Sequence, residues 1–299
     1  PTKSALGAGG GDTEIKIARD GRAFFNDLAA LVSFTSVTSG DDGATTASNP
    51  VGIAAFQNLA DHQDFGGDRQ WMALFDPAPS DHTISPYKGV VPLNYMEYAD
   101  QTSGDAVDMS TDGVDYSRIA GAYANDNKHS PNHGVPLVDQ HTGRFLGMTS
   151  DGKSNSLALA VGVPDSRGML TFHYNPMVSG LPGSPETLFP VLAQDGARTL
   201  YAVWIDDKTY SVWYSWALPG ADNEWKHWHA PIKVSKAPAN VNVFPWIAAG
   251  KAPGIVDIAW YGTNQTLKQL GSAGPSAKKG QTWELWFTQV DHASSGRPH

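Results

Sequence analysis

Short apolar runs alternate with turns containing glycine or aspartate along the whole chain, and helical periodicity is nearly absent. Each recurring unit has an apolar run, a turn and then an aromatic-rich run. This order is typical of antiparallel strands joined by tight turns. The first runs of the successive units begin at Ile15, Trp71, Pro136, Pro190 and Pro245.

The starts of these runs are separated by 56, 65, 54 and 55 residues. The fourth unit contains four strand-like runs, at residues 190–194, 200–205, 211–216 and 228–234. A near-constant period with four strands per unit predicts an all-β fold, a β-propeller of four-stranded blades. A β-sandwich also has short strands but does not predict this period, and the longer second unit indicates an insertion around residues 77–87.

The repeats predict a single domain over residues 1–299, with blades at about 11–67, 68–131, 132–186, 187–241 and 242–299. The last unit lacks a clear fourth strand after residues 283–290.

The composition narrows the possible functions. The formal charge of −9 and the single adjacent basic pair, Lys278-Lys279, argue against nucleic-acid binding, which needs a face rich in lysine and arginine. Without cysteine the chain has neither disulfides nor thiolate metal sites, and no window is apolar enough for a transmembrane helix. Ten tryptophans and ten tyrosines provide aromatic side chains for packing or for contacts with sugars.

Two turn sequences have a characteristic pattern. Ser39-Gly40-Asp41-Asp42-Gly43-Ala44-Thr45-Thr46 follows a β-rich run, and Ser110-Thr111-Asp112-Gly113-Val114-Asp115-Tyr116 is a shorter copy in the next unit. In such turns the aspartate accepts hydrogen bonds from backbone N–H groups, and glycine takes a positive φ.

These turns resemble the Asp-box of the BNR-repeat, sialidase-like β-propeller superfamily, and with the period they extend the resemblance over residues 11 to 290. The resemblance implies that both turns lie between the third and fourth strands of a blade. The first copy has Thr46 where the box usually ends in an aromatic residue. The resemblance implies a six-bladed ring, so with five repeats the chain is expected to be an excerpt of a longer bacterial protein, secreted or at the cell surface. A five-bladed ring is the alternative.

In a propeller, ligands bind where the innermost strands begin, so the residues just before the repeated runs are the candidates. Candidate ligand-binding residues are Arg69, Gln70, Asn132, His133 and Asn242; candidate catalytic residues are Asp12, Asp68 and Glu186. Such a set can bind a sugar, and its oxygen atoms can bind Ca²⁺; no other cofactor is indicated. The alternative is structural, since strand ends also need polar side chains to satisfy backbone groups.

Sialidase chemistry uses three arginines around the substrate carboxylate, and only Arg69 among the eight arginines precedes a repeated run. A classical sialidase is therefore not expected, whereas a glycosidase using two carboxylates stays open. His227 and His229 with His133 are a weaker metal candidate.

The leading hypothesis is a propeller that binds a glycan or another extracellular ligand. A glycoside hydrolase and a structural scaffold are the alternatives.

Overall fold

The computed structural model describes residues 13–29, 32–38, 46–49, 68–78, 93–100, 104–114, 116, 118–124, 128–131, 134–151, 155–185, 189–250, 252–271 and 281–295. The turn at residues 39–45 lies outside these ranges, as does most of the insertion predicted around residues 77–87.

The described residues form five antiparallel sheets, and two of them lie in the first half of the chain. The first sheet contains β1 (Thr13–Ile17), β2 (Ala23–Ala29), β3 (Val32–Thr38) and β4 (Thr46–Asn49). The second contains β5 (Asp68–Phe75), β6 (Leu93–Asp100), β7 (Gly104–Ser110) and β8 (Arg118–Tyr123). In both sheets each strand pairs with the next one along the chain.

The third sheet contains β9 (Ser130–Pro131), β10 (Leu137–Val138), β11 (Phe145–Ser150), β12 (Leu157–Pro164) and β13 (Leu170–Val178). The fourth contains β14 (Val191–Gln194), β15 (Leu200–Ile205), β16 (Val212–Ala217) and β17 (Ile232–Lys233). The fifth contains β18 (Val241–Ala249), β19 (Ile255–Thr263) and β20 (Glu284–Asp291). The prediction of an all-β chain with four-stranded antiparallel sheets is confirmed.

Two sheets differ in detail from the predicted units. The third has an additional short strand, since β9 pairs with β11. In the fourth, the run predicted at residues 228–234 shortens to β17, while Trp228 forms only an isolated bridge with Ala217. Pro231 interrupts this run because it has no N–H to donate to a neighbouring strand.

The chain groups into two compact units. Unit 1 contains Pro1–Pro131, Pro136–Leu146 and Ala160–His173, and unit 2 contains Asn132–Val135, Gly147–Leu159 and Tyr174–His299. The single domain with five blades stays a prediction.

Over the described ranges the structure contains one short helix, α1 (Leu267–Leu270), which begins with a capping box between Thr266 and Gln269. No helix within these ranges has the length and apolarity needed to cross a membrane.

A hydrogen-bonded turn between β7 and β8 leads into the core of unit 1. The Ser110 hydroxyl donates to the Asp112 carboxylate at 2.8 Å and accepts from the Gly113 N–H at 2.8 Å. The same carboxylate accepts from the Val114 N–H at 2.9 Å. Tyr116 then enters a core cluster that includes Phe24, Met72 and Ala106. This second turn therefore has the position and the hydrogen bonds that its sequence predicts.

Gly113 meets two constraints that an alanine would violate. Its φ is +77°, and a Cβ atom at this position would overlap the Phe24 ring. We expect Gly113→Ala to lower the free energy of unfolding by about 2–4 kcal/mol, measured by denaturant titration. Gly21→Ala is the matched control, because Gly21 has a similar φ of +85° but open space around it. The control should lose only about 1 kcal/mol. Equal losses would show that the Phe24 contact has no part in the effect.

A buried carboxylate joins two hairpins of unit 2. One oxygen of Asp195 accepts from the N–H groups of Ala197 and Thr199, both at 2.9 Å. The other accepts from the Tyr201 hydroxyl at 2.9 Å and from the Gly254 N–H at 3.0 Å. Burial is the main cause that raises the pKa of Tyr201 to about 12, so its hydroxyl stays protonated and remains a donor. Asp195 thereby links the β14–β15 hairpin to the start of β19.

In Asp195→Asn an NH2 group replaces one carboxylate oxygen, so new N–H groups face donors that the oxygen accepted from before. We expect Asp195→Asn to lower the free energy of unfolding by about 2–4 kcal/mol, because the lost hydrogen bonds are charge-assisted and buried. Asp165→Asn is the control, since the exposed Asp165 makes similar turn contacts with Arg167 and Met169. Chemical denaturation should show a clearly smaller loss for the control, and a comparable loss would contradict the role of burial.

Candidate functional site

The candidate residues proposed from the sequence fall into three groups. Asp12, Asn132, His133 and Glu186 lie outside the described residues. Asp68 begins β5 opposite Ala99, and its side chain is not described. Arg69, Gln70 and Asn242 are described with their side chains. The roles assigned to all these residues stay predictions.

The start of β5 is held by side chains from the first sheet, all within unit 1. The Asn26 amide donates to the Gln70 carbonyl at 2.8 Å, and the Met72 N–H donates to the Glu14 carboxylate. Glu14 is itself buried and ion-paired with Lys16 at 2.5 Å. The strand is irregular between Asp68 and Trp71, where Arg69 has a φ of +57°. Glu14 is therefore used by the fold.

Asn242 also uses its side chain to bind backbone groups, at the start of β18 in unit 2. Its side chain is almost fully buried, and its amide donates to the Tyr210 carbonyl at 2.7 Å and to the Ala239 carbonyl at 3.3 Å. Its backbone N–H also donates to the Tyr210 carbonyl, at 3.1 Å. The donor groups of Asn242 therefore bind backbone carbonyls, one in the β15–β16 turn and one just before β18.

An aromatic pair lies where the first strands of the fourth and fifth sheets begin. The ring centroids of Phe189 and Phe244 are 6.2 Å apart with an angle of 40° between the planes. The Phe244 side chain is 49% exposed and Phe189 is partly exposed. Both rings belong to unit 2. They form an apolar surface that is accessible to a ligand.

The backbone at both phenylalanines is strained. Phe189 has a φ of +64° and Phe244 a φ of +52°, and each directly precedes a proline. A bulky residue is rarely left-handed, and a residue before proline is ordinarily extended. Each such conformation costs about 1–3 kcal/mol and is typical of binding or catalytic sites. Arg69 has the corresponding place in the second sheet, two residues before Trp71, as Phe244 is two residues before Trp246.

The sequence patterns point to the starts of these strands but not to the phenylalanines. The dipeptide Phe-Pro occurs at residues 189–190 and again at 244–245, which is one repeat length apart. This recurrence is the sequence signal that distinguishes the two phenylalanines from others in the chain. The sequence favours asparagine and carboxylate residues instead, because polar groups are the usual markers of a site.

The histidine hypothesis is not strengthened by the geometry. The His229 ring stacks on Trp216 with 3.4 Å between centroids and 16° between planes. His133 lies outside the described residues, and among the described ones no group of three or more acidic or histidine side chains could hold a metal ion. The Ca²⁺ site stays a prediction.

Comparisons with known proteins identify the fold. No protein-family model matches the sequence, and no curated protein matches it. The intramolecular trans-sialidase from Ruminococcus gnavus, solved with oseltamivir carboxylate, is 9% identical at a TM-score of 0.52, over 95% of this chain and 81% of that chain. A fucose-specific lectin from Aleuria aurantia is 10% identical at a TM-score of 0.50, over 95% and 79%.

An exo-β-1,3-galactanase from Clostridium thermocellum is 12% identical at a TM-score of 0.45; 93% of this chain aligns with it, and the chain spans 60% of its length. At these identities a likeness shows the fold and not the activity. The lectin and the trans-sialidase, at TM-scores of 0.50 and 0.52, support a propeller-type fold for this chain.

Asn242 allows a test that separates a structural role from ligand binding. In Asn242→Asp a carboxylate would face the Tyr210 and Ala239 carbonyls, so we expect a loss of about 2–4 kcal/mol in unfolding free energy at pH 7. Burial raises the pKa of this new carboxyl, and protonation restores a donor, so the deficit should shrink between pH 7 and pH 5. The control is Asn240→Asp, at an exposed asparagine. Unchanged stability of the Asn242 variant would contradict a structural role.

Proposed function

We propose that this protein is a β-propeller of the Asp-box type that binds a glycan outside the cell or at the cell surface. The observation that carries the proposal is the exposed, strained pair Phe189 and Phe244 at the start of two first strands. The sialidase-like ring of six blades belongs to the same proposal. It is supported by the 54- to 65-residue spacing and by the hydrogen bonds of the turn at Ser110.

An aromatic pair of this kind suits a sugar. A pyranose ring has one face of C–H groups, which carry partial positive charge, and its hydroxyl groups lie around the rim. The face of a phenyl ring carries partial negative charge, so the C–H face stacks on it while the hydroxyls stay hydrated. Two rings tilted by 40° present a larger apolar surface than one. The strained backbone supports a role in binding, because such strain persists where surrounding structure maintains it for function.

Binding is proposed ahead of hydrolysis because an exposed aromatic pair is described, whereas the side chains of Asp12, Asp68 and Glu186 are not. Hydrolysis by a pair of carboxylates requires the two carboxyl groups to lie about 5–10 Å apart in an open site. Glu14 lies in β1, near the start of the first sheet's first strand. Its carboxylate is buried, forms an ion pair with Lys16 and accepts a hydrogen bond from the Met72 N–H. Hydrolysis by Asp12, Asp68 and Glu186 therefore stays the second hypothesis, with Arg69 and Gln70 as adjacent ligand-binding residues.

The test is a glycan array followed by titration of the best ligand against a series of Phe244 variants. Phe244→Asn removes the ring while its side chain tolerates a left-handed φ, so affinity should fall at least about tenfold with no loss in thermal midpoint. Phe244→Trp keeps an aromatic face and should retain affinity within about threefold. The matched control is Phe287→Asn, at another exposed phenylalanine of the fifth sheet, which should bind as the wild type does.

Binding that is unaffected by Phe244→Asn and Phe189→Asn would overturn the aromatic site. Assays with chromogenic glycosides run in parallel. Turnover that disappears in Asp68→Asn would replace the binding hypothesis with the hydrolase.

A further inference from the structure

The turn between β15 and β16, residues 206–211, begins beside one phenylalanine of the proposed site. The fourth sheet pairs Val191 with Val203, and continuing this antiparallel register by two residues brings Phe189 to the level of Ile205. Ile205 is the last residue of β15, directly before the turn. Neighbouring strands lie about 5 Å apart, so the turn starts about one strand spacing from the Phe189 backbone.

The same turn contacts the strand that carries the other phenylalanine. Asn242 donates to the Tyr210 carbonyl from its backbone N–H at 3.1 Å and from its side-chain amide at 2.7 Å. Phe244 follows two residues later on β18. The turn therefore lies between the starts of β14 and β18, all within unit 2. It is at the ends of strands, which the face-to-face packing of blades in a propeller leaves uncovered.

Buried hydrogen bonds fix the backbone of this turn. Asp206 is fully buried, and one of its carboxylate oxygens accepts from the N–H groups of Lys208 at 3.1 Å and Thr209 at 2.6 Å. The other oxygen accepts from the Trp213 indole N–H at 2.9 Å. These bonds hold the residue that follows Asp206 in one position.

That residue, Asp207, presents a fixed and exposed carboxylate. Its Oδ1 accepts from the Ser184 N–H at 2.7 Å, and its own N–H donates to the Ser184 carbonyl at 2.9 Å. Gly183 permits this approach, because a Cβ atom there would overlap the same carboxylate oxygen. The other oxygen, Oδ2, accepts no hydrogen bond from the described residues. A carboxylate has about four acceptor positions, so Asp207 can accept from a ligand without giving up Ser184.

The charges around the aromatic pair oppose an acidic ligand. The described segments that surround the pair are residues 181–185, 189–190, 205–211 and 240–246. They contain two carboxylates, Asp206 and Asp207, one lysine, Lys208, and no arginine, which leaves a net charge of 1 − 2 = −1. No described residue binds the exposed Lys208 ammonium, so water screens its charge. A sugar carboxylate would be repelled by Asp207, whereas a sugar hydroxyl donates to it.

We propose, on the basis of the glycan binding proposed above, that the ligand is a neutral sugar and that Asp207 accepts hydrogen bonds from two of its adjacent hydroxyls. The C–H face of the sugar lies on the Phe189–Phe244 pair, and its hydroxyl rim reaches the β15–β16 turn. The half-buried Tyr210 is a second polar group at this rim. Burial, with the nearby Asp207 and Asp206 carboxylates, raises the pKa of Tyr210, so its hydroxyl stays protonated and can donate.

The first test compares matched sugars. The probes are glycosides of glucose, galactose and mannose, each on an array beside the corresponding uronic acid, which differs only at C6. The neutral member of the pair that binds best should bind the full chain at least about tenfold more tightly, and the difference should shrink between about 50 and 300 mM salt. Equal binding of the two members would overturn the inference. Tighter binding of the uronic acid that Lys208→Gln abolishes would also overturn it and assign the site to an acidic sugar.

The second test is Asp207→Asn, which keeps an oxygen for the Ser184 N–H and removes the charge. Affinity for the neutral sugar should fall at least about tenfold, because the lost hydrogen bonds are charge-assisted. The preference over the uronic acid should narrow to about threefold or less. Lys208→Gln is the matched control, one residue further along the same exposed turn, and it should leave affinity for the neutral sugar unchanged. Both variants should keep the wild-type thermal midpoint, and wild-type affinity in Asp207→Asn would contradict the role of this carboxylate.

The two proposals fail in different ways. No binding of any glycan, or binding that Phe244→Asn and Phe189→Asn leave intact, would overturn the aromatic site and the neutral-sugar inference with it. Binding that requires Phe244 but does not distinguish neutral from acidic sugars would overturn the neutral-sugar inference alone.

Discussion

Hydrogen bonds from buried side chains to the backbone hold the start of a sheet's first strand in both units. In unit 1 the Asn26 amide binds the Gln70 carbonyl, and Glu14 accepts from the Met72 N–H. In unit 2 the Asn242 amide binds the Tyr210 carbonyl. In unit 1 these contacts satisfy backbone groups of the bulged strand itself, and in unit 2 they tie the bulged strand to the β15–β16 turn. Such contacts help a left-handed residue to persist beside each of them. The candidate binding surface depends on this constraint.

The sequence predicts the sheets well because strand alternation and turn residues are local properties of the chain. The hairpin at Asp195 and the turn at Ser110 follow from residue types whose side chains bind nearby backbone. The shortening of β17 also has a local cause, Pro231. The predicted run at residues 228–234 includes this proline, which cannot donate a backbone hydrogen bond.

The site was less predictable. A left-handed φ at Phe189 or Phe244 results from packing between elements far apart in sequence, and no intrinsic preference of phenylalanine indicates it. For Asn242 the residue type is recognisable in the sequence, but its role is ambiguous. An asparagine at the start of a strand can bind a ligand or satisfy the backbone, and only the position of the Tyr210 carbonyl shows that its amide binds the backbone.

The aromatic pair lies where two sheets of unit 2 meet, and other contacts hold these sheets together. The Asp195 contact to Gly254 and the Tyr214 hydroxyl contact to the Ala293 carbonyl fix the fifth sheet against the fourth one. Phe189 precedes the first strand of the fourth sheet, and Phe244 lies on the first strand of the fifth. Because these contacts fix one sheet against the other, they also help to hold the two rings 6.2 Å apart before a ligand binds.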